Sequence, residues 1–228
     1  HIIGGYDHLA FLFGVLLVAG SIRRSIIAVT GFTIGHSLSL IGSTIGLIEA
    51  NAKIVEAFIG FTIALMAIEY VIKKNPKIES LLIKNFSLIL FLIPLLGLIF
   101  EIIPLKISLS YFGVCLFTYC YLHTGKFLKN IKTNAKNYLL LSITLIFGFI
   151  HGLGFAGFLR DSGVEGNNIV PPLLSFNLGL EFGQLCIIAL GWLVFSKTKH
   201  LINEPLPEIS SGALFGIGFY WMILRTFV

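Results

Sequence analysis

The sequence predicts an all-α fold: a polytopic transmembrane helical bundle that forms a single integral membrane domain over residues 1–228. Of the 228 residues, 56% are hydrophobic and only 12% are charged. A soluble domain with this composition lacks the polar residues needed to cover its surface. The apolar residues also occur in repeated runs near twenty residues, which is the length of a helix that crosses the hydrocarbon core of a bilayer.

Eight such runs are predicted as spans, with seven as the alternative count. Segments rich in Lys, Asn, Pro, Asp and Gly separate them, for example KKNPKIES at 73–80 and DSGVEGNN at 161–168, and these residues interrupt helices. The predicted spans are 6–21, 26–48, 54–72, 86–103, 107–123, 138–156, 172–195 and 209–227.

The basic residues predict the orientation of the bundle. Most of the sixteen Lys and Arg residues fall in the loops that follow the first, third, fifth and seventh runs. Because cytoplasmic loops are enriched in Lys and Arg, both termini are predicted outside, and the protein is expected in a bacterial inner membrane. An outside N-terminus at His1 implies that a signal peptide or exported segment was removed, or that residues before it are missing. The loop charges also account for the net charge of +5 without a nucleic-acid partner.

Ionisable and strongly polar side chains inside the runs are the main functional signal. A charged residue inside a span costs roughly 2.5–3.5 kcal/mol on insertion scales, so it usually faces a cavity or a partner. With the predicted topology, five helices bring such groups to one layer in the outer half of the membrane. The residues in this layer are Asp7, His8, His36, Ser37, Glu56, His151, Asn177, Glu181 and Gln184.

Helical spacing groups these residues further. Asn177, Glu181 and Gln184 are spaced i, i+4 and i+7, and therefore share one helix face. Glycines adjoin His36 and His151, and small residues let a neighbouring helix or a ligand approach closely. Three imidazoles with carboxylates, supplied by different helices, suit a borderline divalent cation such as Ni²⁺, Co²⁺ or Zn²⁺.

Each residue also has an ordinary structural explanation. Asp7 is placed to cap the first helix, where a carboxylate is favourable, and Glu56 is placed to pair with Lys53. A single intramembrane histidine can simply hydrogen-bond to a serine or a backbone carbonyl. Glu69, near the end of its span, is expected to be solvated or paired with a nearby lysine.

Several segments, in order along the chain, resemble the signature segments of the HupE/UreJ family of membrane proteins. The segments are HIIGGYDHLAFLFGVLL, VTGFTIGHSLSLIGSTIGL, VEAFIGFTIAL, FGFIHGLGFAGFL, SFNLGLEFGQL and GFYWMILRTF. The family is generally described as nickel or cobalt permeases associated with hydrogenase and urease maturation. The resemblance adds His1 to the polar positions above, and it marks 86–123 as a two-helix insertion relative to the shorter family pattern.

Three functions fit these residues. The first is a permease for nickel or cobalt, whose cargo is captured by His8, His36, His151, Asp7, Glu181 and Glu56, with His1, Ser37, Asn177 and Gln184 in support. Binding should then weaken on acidification, because protonated histidines do not bind metal. The alternatives are a zinc-dependent intramembrane hydrolase of a lipid amide or ester and a non-transporting subunit with a structural metal. In the hydrolase, the three histidines would hold zinc, Asp7 or Glu181 would act as base, and Ser37 would stabilise the oxyanion. The sequence leaves partner subunits and the metal itself undetermined.

Overall fold

The computed structural model describes residues 5–127, 133–161, 170–198 and 206–227. These residues form eight α-helices and one short 3₁₀ turn, and they contain no β-strand. His1, one of the predicted supporting residues, lies outside the described residues. The helices are α1 (Tyr6–Ala19), α2 (Ile22–Thr44), α3 (Ala52–Lys74), α4 (Glu79–Ile99), α5 (Leu105–Phe127), α6 (Thr133–Asp161), α7 (Val170–Thr198) and α8 (Leu206–Phe227).

The predicted membrane bundle is confirmed at the level of its helices. Each of the eight predicted runs corresponds to one helix, with ends displaced by up to seven residues, the largest displacement being at the start of α4. Within the described ranges, six helices, α2 to α7, are long and apolar enough to cross a membrane. The first helix, α1, is apolar but has only 14 residues. The side of the membrane on which the termini lie stays a prediction.

Local sequence fixes the sharp connection between α1 and α2. Gly20 ends α1 in the left-handed conformation with φ of 66°, which glycine adopts without the steric cost of a Cβ atom. Ser21 then caps α2, because its side-chain oxygen accepts a hydrogen bond from the backbone N–H of Arg24 at 3.4 Å. The two helices therefore reverse direction over two residues, which keeps Asp7 and His8 close to α2.

Glycines bring α2 and α6 into backbone contact. A Cβ atom added at Gly35 would lie 1.9 Å from the carbonyl oxygen of Leu145, and one added at Gly148 would lie 1.9 Å from that of Phe32. At Gly152 the added atom would meet the carbonyl oxygen of His36 at 2.4 Å. Because these positions lack side chains, the two helix axes approach closely, as small residues permit in membranes. This contact is the most extensive one in the bundle.

The remaining helices surround this pair. α3 packs on α8 through Gly60 and Gly218, where an added Cβ atom would meet opposing backbone within 2.7 Å, and α1 lies against α3. α4 and α5 contact each other far more than they contact α3, although the hydroxyl groups of Tyr111 and Thr226 join α5 to α8 by a hydrogen bond. Whether 86–123 is an insertion stays a prediction.

Apolar side chains cover much of the outside of the bundle. On α7, Leu174, Leu178 and Phe182 repeat every four residues and are 55%, 67% and 72% exposed. Asn177 and Gln184 lie on a different, buried face of the same helix. This arrangement reverses the polarity of a soluble protein, and it is explained by contact of the outer face with lipid.

Candidate metal-binding site

Three histidine rings from three helices meet in the interior of the bundle. His8 of α1, His36 of α2 and His151 of α6 are only 3%, 0% and 1% exposed. The ring centroid of His8 lies 5.7 Å from that of His36 and 5.5 Å from that of His151. We call these three side chains the histidine cluster. The structure therefore brings together imidazoles that are separated by up to 143 positions in the sequence.

Hydrogen bonds to the Nδ1 atoms orient two of the rings. The Nδ1 atom of His151 lies 2.8 Å from the backbone carbonyl oxygen of Phe147, and that of His8 lies 3.0 Å from a carboxylate oxygen of Asp7. A carbonyl or carboxylate oxygen only accepts, so Nδ1 carries the proton and donates in both cases. In the neutral ring Nε2 then has the lone pair that a metal ion binds.

Asn177 orients the third ring in the same way. Its side-chain nitrogen donates to the backbone carbonyl of Leu173 at 2.9 Å, which turns its oxygen towards Nδ1 of His36 at 3.4 Å. Nδ1 is again the donor, because the amide oxygen only accepts. All three Nε2 atoms are buried, and that of His151 makes no hydrogen bond within the described residues.

The spacing of the rings is close to that of rings sharing one ion. Metal–nitrogen bonds of about 2.1 Å and a tetrahedral angle place two ring centroids about 5 Å apart. However, among the described residues, no three His, Cys, Asp or Glu side chains have the arrangement of a metal centre. His8 thus lies at a suitable separation from both other rings of the histidine cluster, but the described side chains do not have the arrangement of a bound metal centre.

An aromatic shell surrounds the histidine cluster. The ring of Phe32 lies 5.8, 6.0 and 4.9 Å from the rings of His8, His36 and His151, centroid to centroid. Phe11 lies 5.3 Å from His151, and Phe155 and Phe176 stack on each other beside His36. The sequence does not by itself predict this shell, although Phe155 lies on the helix face of His151, four residues after it, and Phe32 lies four residues before His36. That spacing is the signal of a shared helix face.

The other polar residues of α7 contact α2 away from the histidine cluster. Thr33 donates to the side-chain oxygen of Gln184 at 3.1 Å, and Thr30 donates to the carboxylate of Glu181 at 3.3 Å. Thr30 precedes His36 by six residues, which is about 9 Å along a helix. Thr33 lies close to His36 in the sequence but was given no role there, and Thr30 was not singled out, because hydroxyl groups in a span usually bond to their own helix.

Glu56 and Ser37, which the sequence predicts at the metal site, make their contacts elsewhere. The carboxylate of Glu56 lies 3.5 Å from the guanidinium of Arg225 and joins α3 to α8, while its expected pairing with Lys53 stays a prediction. The hydroxyl of Ser37 donates to the backbone carbonyl of Thr33 at 2.7 Å, so its proton is used within its own helix. The described structure gives neither residue a contact with the three histidine rings.

The chain is similar to a known protein family over nearly its whole length. A family model described as HupE / UreJ protein matches residues 1–115 and 123–225. The chain belongs to the HupE/UreJ family. Membership in HupE/UreJ associates this membrane protein with nickel or cobalt transport. No curated protein and no solved structure matches the chain, so the roles of individual residues rest on the geometry above.

Proposed function

We propose that this HupE/UreJ protein is a permease for a divalent transition metal ion, nickel or cobalt, with the histidine cluster as its binding site. The observation that carries the proposal is the common tautomer of three buried imidazoles. In each, a hydrogen bond from Nδ1 leaves Nε2 as the metal-binding atom. Second-shell acceptors of this kind orient metal-binding histidines in known sites.

Asp7 supplies the charge that the imidazoles lack. A divalent cation that enters an apolar shell loses hydration, and neutral ligands do not offset its charge. Asp7 lies beside His8 with its side chain about one fifth exposed, so the carboxylate can meet the ion before the histidines do. We therefore assign Asp7 to capture, and the buried rings of His36 and His151 to binding after partial dehydration.

The donor set determines which metals fit. Imidazole nitrogen suits nickel, cobalt and zinc, whereas magnesium and calcium require oxygen ligands. Membership in HupE/UreJ favours nickel or cobalt as cargo over zinc as a resident ion. Zinc held permanently by the same rings would instead support the hydrolase or the structural subunit.

The direction of transport follows from the charges at the helix ends. Arg23 and Arg24 begin α2, and Lys73 and Lys74 end α3. The Nζ atom of Lys73 lies 3.5 Å from the carbonyl oxygen of Val18 near the end of α1, so these charges share one end of the bundle. By the positive-inside rule this end is cytoplasmic. Asp7 and His8, at the opposite end of α1, then face the outside, and the metal moves inward.

Metal uptake into proteoliposomes tests the proposal. We expect Ni²⁺ or Co²⁺ uptake by the unaltered protein and at least a tenfold loss in His36→Ala and in His151→Ala. His123→Ala is the matched control, since the ring of His123 stacks on Tyr119 of α5, away from the histidine cluster. Equal uptake by all four proteins would overturn the proposal. Purified protein that retains zinc and transports nothing would favour the hydrolase or the structural subunit.

A further inference from the structure

A line of polar contacts continues from the histidine cluster between α2 and α7. Beyond the contact of His36 with Asn177, Thr33 reaches Gln184 and Thr30 reaches Glu181. We call the side chains of Thr30, Thr33, Glu181 and Gln184 the polar seam. Thr33 and Gln184 are 5% and 0% exposed, so at least this part of the polar seam lies inside the bundle and away from lipid.

The polar seam is directed towards the end of the bundle where α2 begins. Thr30, Thr33 and His36 are spaced by three residues and follow one side of α2. Further along, the indole N–H of Trp192 donates to the hydroxyl of Ser25 at 3.1 Å, and Ser25 is fully buried. From His36 to Ser25 the helix rises about 16 Å. The polar contacts therefore extend over about half the thickness of a hydrocarbon core.

Within the described part of the chain, the side-chain nitrogen of Gln184 in the polar seam has no hydrogen-bond partner. This nitrogen is buried, while the oxygen of the same amide accepts from Thr33. Buried amide groups are almost always satisfied, so such an atom indicates bound water or the hydration shell of an ion. This observation is independent of the carboxylate of Glu181.

The chemical groups of the polar seam suit a cation that binds weakly while it is being transported. Its acceptors are hydroxyl, amide and carboxylate oxygens, which hold nickel and cobalt more weakly than imidazole nitrogen does. The basic residues of α2 and α7 are confined to the helix ends, at Arg23, Arg24 and Lys197, so no fixed positive charge of these helices lies within it. Glu181 supplies one negative charge to offset that of the ion.

We propose that the polar seam is a second, weaker cation site, which receives the divalent metal ion from the histidine cluster and passes it towards Ser25 and Trp192. The proposal rests on the transport function proposed above. The oxygen ligands of the polar seam would hold the metal ion less tightly than the nitrogen ligands of the histidine cluster, so the affinity falls from the first site to the second. The polar seam also supplies a polar route through a part of the membrane in which the sequence alone shows few charged residues.

The test separates binding from transport. Glu181→Gln keeps the shape of the side chain and removes its charge, and Thr33→Val removes a hydroxyl at nearly constant volume. We expect each variant to lower Ni²⁺ uptake into proteoliposomes at least tenfold. In equilibrium dialysis of the purified variants, the affinity of the tight Ni²⁺ site should change less than twofold, and a weaker second site present in the unaltered protein should be lost.

Matched controls accompany each variant. Thr44→Val removes another α2 hydroxyl, one that donates to the backbone carbonyl of Leu40 in its own helix, and Glu101→Gln removes an exposed carboxylate in the turn after α4. Both should transport at the unaltered rate. Normal uptake by Glu181→Gln and Thr33→Val would overturn this inference but not the proposed function. Loss of tight binding in either variant would assign that residue to the capture site and overturn it too. Absence of uptake by the unaltered protein would overturn the proposed function itself.

Discussion

Asp7 and His8 are neighbours in sequence, and their contact determines which ring nitrogen of His8 carries the proton. The carboxylate of Asp7 accepts from both the backbone N–H of His8, at 2.8 Å, and its Nδ1 atom, at 3.0 Å. The first bond belongs to the start of α1, where a carboxylate is favourable. The second bond selects the ring tautomer with a lone pair at Nε2. Gly5, not Asp7, is the N-cap of α1, so the hydrogen bond within the first turn and the proposed binding of a metal ion are the two uses of the Asp7 side chain.

Asp7→Asn separates these two uses. The amide keeps the size of the side chain and loses the negative charge, so α1 should still form while the ion loses its counter-charge. We expect the Ni²⁺ dissociation constant to rise about 10–100-fold, as is usual when an outer-shell partner of a metal ligand is changed. Isothermal titration in detergent measures it. Glu208→Gln, which removes the first-turn carboxylate of α8, should leave the dissociation constant unchanged. Equal affinity in the two variants would show that Asp7 has no part in binding.

At the scale of elements, the contact between α2 and α6 positions two of the three histidines. His36 follows Gly35, and His151 lies between Gly148 and Gly152. The glycines therefore determine the distance between the two helices, and the histidines occupy the site that this distance creates. A Cβ atom at Gly148 would overlap the carbonyl oxygen of Phe32, and backbone cannot move aside as a flexible side chain can.

Gly148→Ala should separate the two helices. We expect the free energy of unfolding to fall by about 1–3 kcal/mol, which is typical of overpacking, and the affinity for Ni²⁺ to fall with it, because His36 and His151 move apart. Gly216→Ala is the control, since an added Cβ atom there meets nothing within 4 Å. Thermal unfolding in detergent and equilibrium dialysis measure the two effects. If Gly148→Ala changed neither the free energy of unfolding nor the affinity for Ni²⁺, the separation of α2 and α6 would be shown to adjust without cost.

At the scale of the whole molecule, charged residues gather at the end of the bundle where α1 and α3 end and α2 begins. A cavity of about 340 Å³ opens there, and its lining includes Arg24, Glu69, Lys73 and Tyr121. Glu69 pairs with Lys73 at 2.7 Å, as the sequence predicts, and accepts a hydrogen bond from Tyr121 at 2.5 Å. Together with the contact of Lys73 with Val18 of α1, they connect α1, α3 and α5 at this end of the bundle. Because the positive charges adjoin this cavity, we expect it to open to the cytoplasm.

Cysteine labelling tests this orientation. After Cys115, Cys120 and Cys186 are changed to alanine, single cysteines are placed at exposed positions in two loops, as Glu49→Cys and Lys77→Cys. A membrane-impermeant maleimide added to intact cells should label position 49 and not position 77, whereas permeabilised cells should give both. Labelling of position 77 alone in intact cells would reverse the orientation and, with it, the direction of transport proposed for the metal.

Composition and apolar run length by themselves determined the membrane class and the number of helices. Both depend on transfer of single side chains between water and lipid, and that free energy needs no knowledge of the neighbours. Ionisable residues such as His36 and Glu181 could also be recognised from the sequence, because an ionisable side chain is costly in lipid wherever it lies.

Only the tertiary structure decided which of these residues meet. The sequence groups Glu181 and Glu56 with the histidines by predicted depth, but the structure places Glu181 beside Thr30 and Glu56 beside Arg225. Depth follows from position along one helix, whereas neighbours follow from the rotation and crossing of helices, which glycine contacts such as that of Gly148 with α2 determine. For the same reason the hydrogen bond from the hydroxyl of Thr33 to Gln184 became apparent only once α7 was packed against α2.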